Sequence, residues 1–242
     1  MLDVHSPHQS VHTWKDVLIH IGIIAVGLLI AIGLEQTVEV IHHAHERREL
    51  IADIHSECTS NLQIFANNRK SLPAARRWHA AAIAALEEAK PTGGLVTVIL
   101  PPFTPGDMQP PRAPSRAVWT LAQSNGKAAL LPEKLAEVFT SLDRAGENFQ
   151  HALERSDAND EIDAALYARF QMQPDPGATL HLTPAERDEI AASVSLDWAY
   201  ADSLARRSAY WGSACRAVLD GVQTRDEMFN HISSELNKVD SQ

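Results

Sequence analysis

The sequence predicts an all-α protein, an N-terminal transmembrane helix that continues into an antiparallel helical bundle. Three observations carry this reading. Residues Val17 to Leu34 read VLIHIGIIAVGLLIAIGL, with His20 as the one ionisable group. Ala and Leu are abundant while aromatics make up 6% of the 242 residues, a balance that favours helix over sheet. Along the rest of the chain, apolar residues recur every three or four positions, the period of one helix face.

Residues 1–16 form a polar tail holding His5, His8, His12 and Lys15. The transmembrane segment follows at 17–34. Eighteen helical residues span about 27 Å, close to the hydrocarbon thickness of a bilayer. Twelve of the eighteen are Leu, Ile or Val. Together they favour insertion by about 4 to 7 kcal/mol, more than one His near the end costs. Trp14 and Lys15 stand where an interfacial aromatic and a snorkelling cation belong. Two alternatives share the pattern: a signal peptide cut after the small residues Ala31-Ile32-Gly33, and a buried core helix. Gly27 and Ala31 form a small-xxx-small pair that admits a second helix, which predicts a homodimer through the span. His20 shares their face. The positive-inside count is nearly balanced, with Lys15 on one flank and Arg47 and Arg48 on the other.

Residues 35–242 form the bundle domain, with a Pro-rich connector at 95–114. No Gly or Pro interrupts Glu35 to Lys70, so the spacing predicts one helix from about Thr13 to Asn68. Ile51, Ile54, Cys58, Leu62 and Phe65 mark its apolar face. Ser71 and Pro73 then read as the cap and first turn of a new helix ending before Pro91. Leu95 to Leu100 is a short β-type run, and six prolines follow between Pro101 and Pro114. Ser115 reads as the cap of a short helix carrying Trp119. Pro132 opens another, to about Arg155, and a further helix covers roughly 159–171. Pro174-Asp175-Pro176-Gly177 is a turn. Thr183-Pro184-Ala185-Glu186 is a capping box with Pro at the first helical position. Its helix carries an apolar stripe from Ile190 to Val222, with a break expected at Gly221. If that helix runs back along the first, Cys58 and Cys215 come to similar heights and become neighbours.

The net charge of −10 argues against nucleic acid as a partner, since phosphate binding needs a basic surface. The bilayer and an unidentified protein are the partners this composition suits. The two cysteines form no C-x-x-C motif. There is no nucleophile elbow and no phosphate-cradling glycine loop, so no cofactor and no enzymatic activity are expected. The aromatics Trp198, Tyr200, Tyr210 and Trp211 read as packing or as the lining of a pocket.

One candidate metal centre stands out. Glu39, His42, His45, Glu46 and Glu49 follow the span, and Glu39-x-x-His42 and His42-x-x-His45 place ligands on one helical face. Di-metal bundles need a second such motif on another helix. The nearest sequences, Glu147 to His151 and Glu227 to His231, have four-residue spacing. The same residues also suit an exposed polar helix. The expected function is a membrane-anchored interaction, scaffold or sensing module, with a metal-binding protein as the alternative.

The stretch Trp14-Lys15-Asp16, the run Val26-Gly27-Leu28-Leu29-Ile30-Ala31-Ile32-Gly33-Leu34-Glu35 and the segment Ala117 to Gly126 resemble a group of uncharacterised bacterial single-pass membrane proteins. Those carry an N-terminal G-[IL]-L-I-A-[IL] span and a helical domain of this size. The resemblance covers about a third of the chain, implies an inner-membrane protein and carries over no catalytic residue. A basic tail in such proteins would put the domain outside the cytoplasm; this chain lacks one.

Overall fold

The structure, a computed structural model, describes residues 14–102, 109–169 and 179–240. Their order is α1 (Trp14–Glu88), β1 (Pro91–Thr92), β2 (Leu95–Ile99), α2 (Ala117–Ser124), a 3-10 turn (Lys127–Leu130), α3 (Glu133–Arg169), β3 (Thr179–Leu182), α4 (Pro184–Leu219) and α5 (Arg225–Asp240). The tail histidines His5, His8 and His12 and the turn at Pro174 lie outside the described residues. The chain divides after Glu49 into two units, and α1 belongs to both.

In the first unit, the most apolar window of α1 has a mean hydropathy of 2.8, and none of it is buried. A core helix would bury at least one stripe. Here Ile21, Ile24, Leu28 and Leu29 are all exposed. The buried-core alternative is thereby removed, and the helix is long and apolar enough to cross a membrane. A signal sequence shares that signature. His20 Nδ1 donates to the Asp16 carbonyl at 2.7 Å, and Thr37 Oγ1 donates to the Gly33 carbonyl at 2.7 Å. Both polar side chains thus find partners on their own helix, as apolar surroundings require.

In the second unit, α1 continues to Glu88 straight through Pro73, where a new helix was expected. Pro73 has no N–H for the Arg69 carbonyl, a cost normally enough to break a helix. Packing overrides it. Ser71 and Leu72 are buried, and Leu72 joins Phe149, Ala152 and Leu204 in a core cluster. The Ser71 hydroxyl donates back to the Asn67 carbonyl rather than capping a new helix. The apolar face read from the sequence holds: Ile54, Cys58 and Phe65 are buried, and Ile51 and Leu62 pack beside them.

Helices α1 and α4 are antiparallel. Cys58 meets Cys215, Phe65 meets Gly212, and Arg76 reaches Asp202, so numbers rise on one helix as they fall on the other. Helix α3 is antiparallel to α4 in the same way. Phe149 lies against Trp211, Asn159 bonds Asp197 and Arg169 pairs with Glu189. Residues 133–169 form one helix where two were expected, because the polar run Ser156-Asp157-Ala158 contains no Gly or Pro to stop it. The capping box is present as read: Glu186 N–H donates to Thr183 Oγ1, and Thr183 N–H to Glu186 Oε2 at 2.8 Å. Gly221, at φ +82°, turns α4 into α5.

A small sheet accompanies the helices. β1 and β3 flank β2, both antiparallel to it, with Val98 opposite Leu180. Its inner face, Val96, Val98, Leu180 and Leu182, packs on Ala82, Leu86, Ile190 and Val194. The strand partner at 179–182 has only four residues, too few for a periodic signal.

The connector is tied down by α1. Asn61 Nδ2 donates to the Ser115 carbonyl at 2.9 Å while Ser115 N–H donates to Asn61 Oδ1 at 2.9 Å. Two turns along, Asn68 makes the same pair of bonds with Arg112. These two buried amides serve a Pro-rich strand that has no sheet to join. Ser115 gives Ala117 N–H only a long contact of 3.4 Å. The start of α2 is completed by Glu57, which accepts from Val118 N–H at 3.3 Å and from the Ser115 hydroxyl at 2.5 Å. A carboxylate at this end also suits the helix dipole.

Candidate functional site

Helices α3 and α4 carry hydrophobic side chains toward α1 along most of their length, but near one end their seam turns polar. Asn159, Asp160 and Asp163 occupy adjacent turns of α3, opposite Ser193 and Asp197 of α4. Asn159 and Asp163 are buried, Asp197 is half-buried and Asp160 is exposed. Oxygens of Asp160, Asp163 and Asp197 lie within 4.8 Å of one another.

The hydrogen bonds define what this arrangement needs. The Asn159 amide donates one N–H to Asp163 Oδ2 at 2.6 Å and the other to Asp197 Oδ1 at 2.8 Å. The Ser193 hydroxyl donates to Asp163 Oδ1. Asp163 and Asp197 also bring carboxyl oxygens within 4.8 Å of each other. Two ionised carboxylates have no donor between them, so a hydrogen bond across this pair needs a shared proton. Asp197 is pushed up to about 7, first by burial, then by the bond to Asp163 and the charges of Asp163 and Asp160. Asp160, though exposed on its outer side, is raised as well, by partial loss of hydration on the side facing the seam and by the charges of Asp157 and Asp163.

From α1, His79 faces the same cluster. Burial lowers it to about 4, against the pull of the Asp163 charge, so the ring is neutral at neutral pH. Its Nδ1 is buried without a hydrogen-bond partner, and its ring meets Trp78 edge-on at 5.3 Å. A neighbouring acid shows the contrasting solution. Asp202, buried one turn beyond Trp198, is held by Arg76 at 3.1 Å and by Arg206. Arg76 also lies over the Trp198 ring at 5.9 Å. Asp202 is thus neutralised by guanidinium groups, whereas Asp197 is acted on by other carboxyls. Buried acids of the second kind keep a proton.

A second polar spot adjoins α2. A cavity of about 20 Å³ is lined by Glu57, Cys58, Trp119 and Asp143, and the Trp119 indole N–H is buried there without a partner. That volume holds one water molecule. Beside it, Arg116 makes a bidentate pair with Asp143 at 2.7 and 2.9 Å.

Of the candidate ligands on α1, Glu39, His42, His45 and Glu49 are exposed and Glu46 is half-buried. His42 Nε2 lies 3.7 Å from Glu46, and His45 Nε2 lies 3.1 Å from Glu49, so the set joins two by two along the helix, and Glu39 is exposed one turn earlier. The other His/Glu sequences serve local structure. Glu147 reaches Arg116 and His151 pairs with Glu154. Glu227 accepts from Gln223 N–H and Thr224 N–H at the start of α5, and His231 pairs with Asp220. Trp211 is a core residue against Phe149, while Trp198 is partly exposed beneath Arg76, so these aromatics do not line one pocket.

The sequence reading missed the acid cluster. Asn159, Asp160 and Asp163 were hidden in a charged run, and Asp197 sits 34 positions away with no local mark. A signal existed in retrospect: Asp163 and Asp197 both fall on the apolar stripes of their helices. No protein family, curated protein or solved structure matches the chain.

Proposed function

We propose that this chain is a membrane-anchored, non-enzymatic sensing module whose bundle responds to pH through the seam between α3 and α4. The carrying observation is the placement of Asp163 and Asp197 side by side in the seam, their oxygens within 4.8 Å and both accepting from the Asn159 amide. Such a pair favours one shared proton, which Asp197, pushed up to about 7, releases as pH rises through that value. The span at 17–34 anchors the chain in a bacterial inner membrane, with the bundle in the periplasm, a compartment whose pH follows the surroundings. Deprotonation sets two carboxylates face to face in a half-buried seam, beside Asp157 and Asp160 on α3, with neutral His79 looking on from α1 and Arg76 engaged by Asp202. The seam then loosens, and a protein partner reads the change.

The test follows Trp198, next to Asp197, by fluorescence in the full chain held in detergent. A reversible transition centred near pH 7 supports the reading if D197N abolishes it. A response that is flat from pH 5 to 9 overturns it. Sidedness is read from a reporter cysteine at Ser156, with Cys58 and Cys215 changed to Ser, using an impermeant thiol reagent on intact cells.

A metal-binding role for Glu39, His42, His45, Glu46 and Glu49 is the second reading. It rests on the two His–Glu pairs already formed on one exposed helix. Micromolar binding of zinc to the full chain, lost when His42 and His45 are both changed to Ala, supports it over the first.

A further inference from the structure

The only two cysteines of the chain stand 157 positions apart and come together between α1 and α4. Cys58 and Cys215 are both fully buried, belong to the same core cluster and lie close enough to act on each other electrostatically. The helices approach closely here. One turn before Cys215, a Cβ on Gly212 would lie 2.6 Å from the Phe65 ring, so only glycine fits. Close helices of this kind bring Cβ atoms into the range a disulfide spans, about 4 Å. The water-sized cavity beside Cys58 leaves its side chain room to turn toward its partner.

We propose that Cys58 and Cys215 form an intramolecular disulfide that staples the anchor-bearing helix α1 to α4 wherever a disulfide-form oxidant is present. The chemistry is thiol–disulfide exchange. One cysteine, as thiolate, attacks a sulfur of the oxidant and expels the other, giving a mixed disulfide. The second cysteine, as thiolate, attacks the first and releases the reduced oxidant. Two protons leave the cysteines, two electrons pass to the oxidant, and its two sulfurs take up two protons.

The fold dictates when this happens. In the closed core both thiols are out of reach, and the neighbouring Cys58 thiol and burial push Cys215 up, holding it protonated. Exchange therefore precedes closure of the core, and closure then shields the bond from reductant. The fold in turn favours the bond by holding the two sulfurs together, so disulfide content and folding are linked.

The experiment refolds the reduced full chain in detergent with a mixture of reduced and oxidised glutathione, then traps free thiols by acid and alkylation. The expected product has the helical content of the reduced protein, no free thiol, and a mass lower by two hydrogens. In the same mixture, urea that keeps the chain open lowers the ratio of disulfide to dithiol at least tenfold. Two free thiols, a glutathione adduct or a covalent dimer as the main refolded product would overturn the proposal. So would an oxidised product that has lost the helical signal, because the bond would then belong to a misfolded chain. A chain that resists refolding is tested from the other side: the purified reduced protein is taken through rising urea in the same mixture and diluted back. The bond then forms only where the core opens and persists on return, whereas a bond that disappears on return contradicts the proposal.

Discussion

Replacing Asp197 by Asn separates the proton-sharing pair from everything else in the seam. The folded value for Asp197, about 7, stands above the ordinary 3.8. The folded chain therefore keeps a proton that the unfolded chain has released. Its contribution to stability is whole below about pH 4, declines as pH rises, and is gone above about pH 7. A difference of about 3 pK units corresponds to at most about 4 kcal/mol. Asp197 is only half-buried, and solvent screening reduces this to about 1–2 kcal/mol. His79 works in the opposite direction. Its folded value of about 4 lies below 6.5, so stability falls as pH drops from about 6.5 to 4. In the native chain the two slopes oppose each other below pH 6.5, and D197N leaves the His79 slope alone. The introduced amide also donates to Asp163 at every pH. At pH 8, D197N is expected to be more stable by about 1–2 kcal/mol, about 3–6 °C in thermal midpoint for a domain of this size. At pH 5 that advantage shrinks to less than half, and it vanishes near pH 4. Thermal unfolding of both chains in detergent, followed by far-UV circular dichroism from pH 4 to 9, measures the difference. A difference that does not change with pH, or a D197N chain that is the less stable at pH 8, would refute the reasoning.

Three further outcomes are expected. Asn61→Ala removes both hydrogen bonds between this buried amide and the Ser115 backbone, costing about 1–3 kcal/mol in urea unfolding, whereas Thr59→Ala on the solvent side changes little. Gly212→Ala drives a methyl group into the Phe65 ring and costs about 1–3 kcal/mol by the same assay, with partial recovery when Phe65 is also shortened to Leu. In the first unit, a Cβ on Gly27 would meet nothing within 4 Å, so bulk there leaves the helix itself unstrained. Gly27→Ile with Ala31→Ile is expected to lower self-association of the span in a membrane two-hybrid assay without lowering its insertion.

The sequence carried the helical architecture because most of it is written locally. The run at 17–34, the stripe from Ile51 to Phe65 and the capping box at Thr183 each hold their evidence within a few turns. The errors fall where tertiary packing overrules a local signal. Pro73 marks a helix start in isolation, yet buried Ser71 and Leu72 carry α1 through it. The polar stretch near Ser156 interrupts the apolar stripe, yet with no Gly or Pro in it α3 runs on, packed against α4. The β3 strand needs β2, 80 residues earlier, to exist at all. The antiparallel return of α4 was legible from lengths, and with it the approach of Cys58 to Cys215. The acid cluster was not. Its members come from two helices, with Asp163 and Asp197 34 positions apart, and only their packing distinguishes them from the many solvated acids of a chain with net charge −10.

The most direct test of the account is extraction of the membrane fraction with alkaline carbonate, followed by intact mass of the chain. The account predicts that the protein stays with the bilayer at its full-length mass, because the eighteen apolar residues remain embedded. Release into the supernatant, or a chain shortened near Gly33, would show that the segment at 17–34 is not an anchor and would contradict the account.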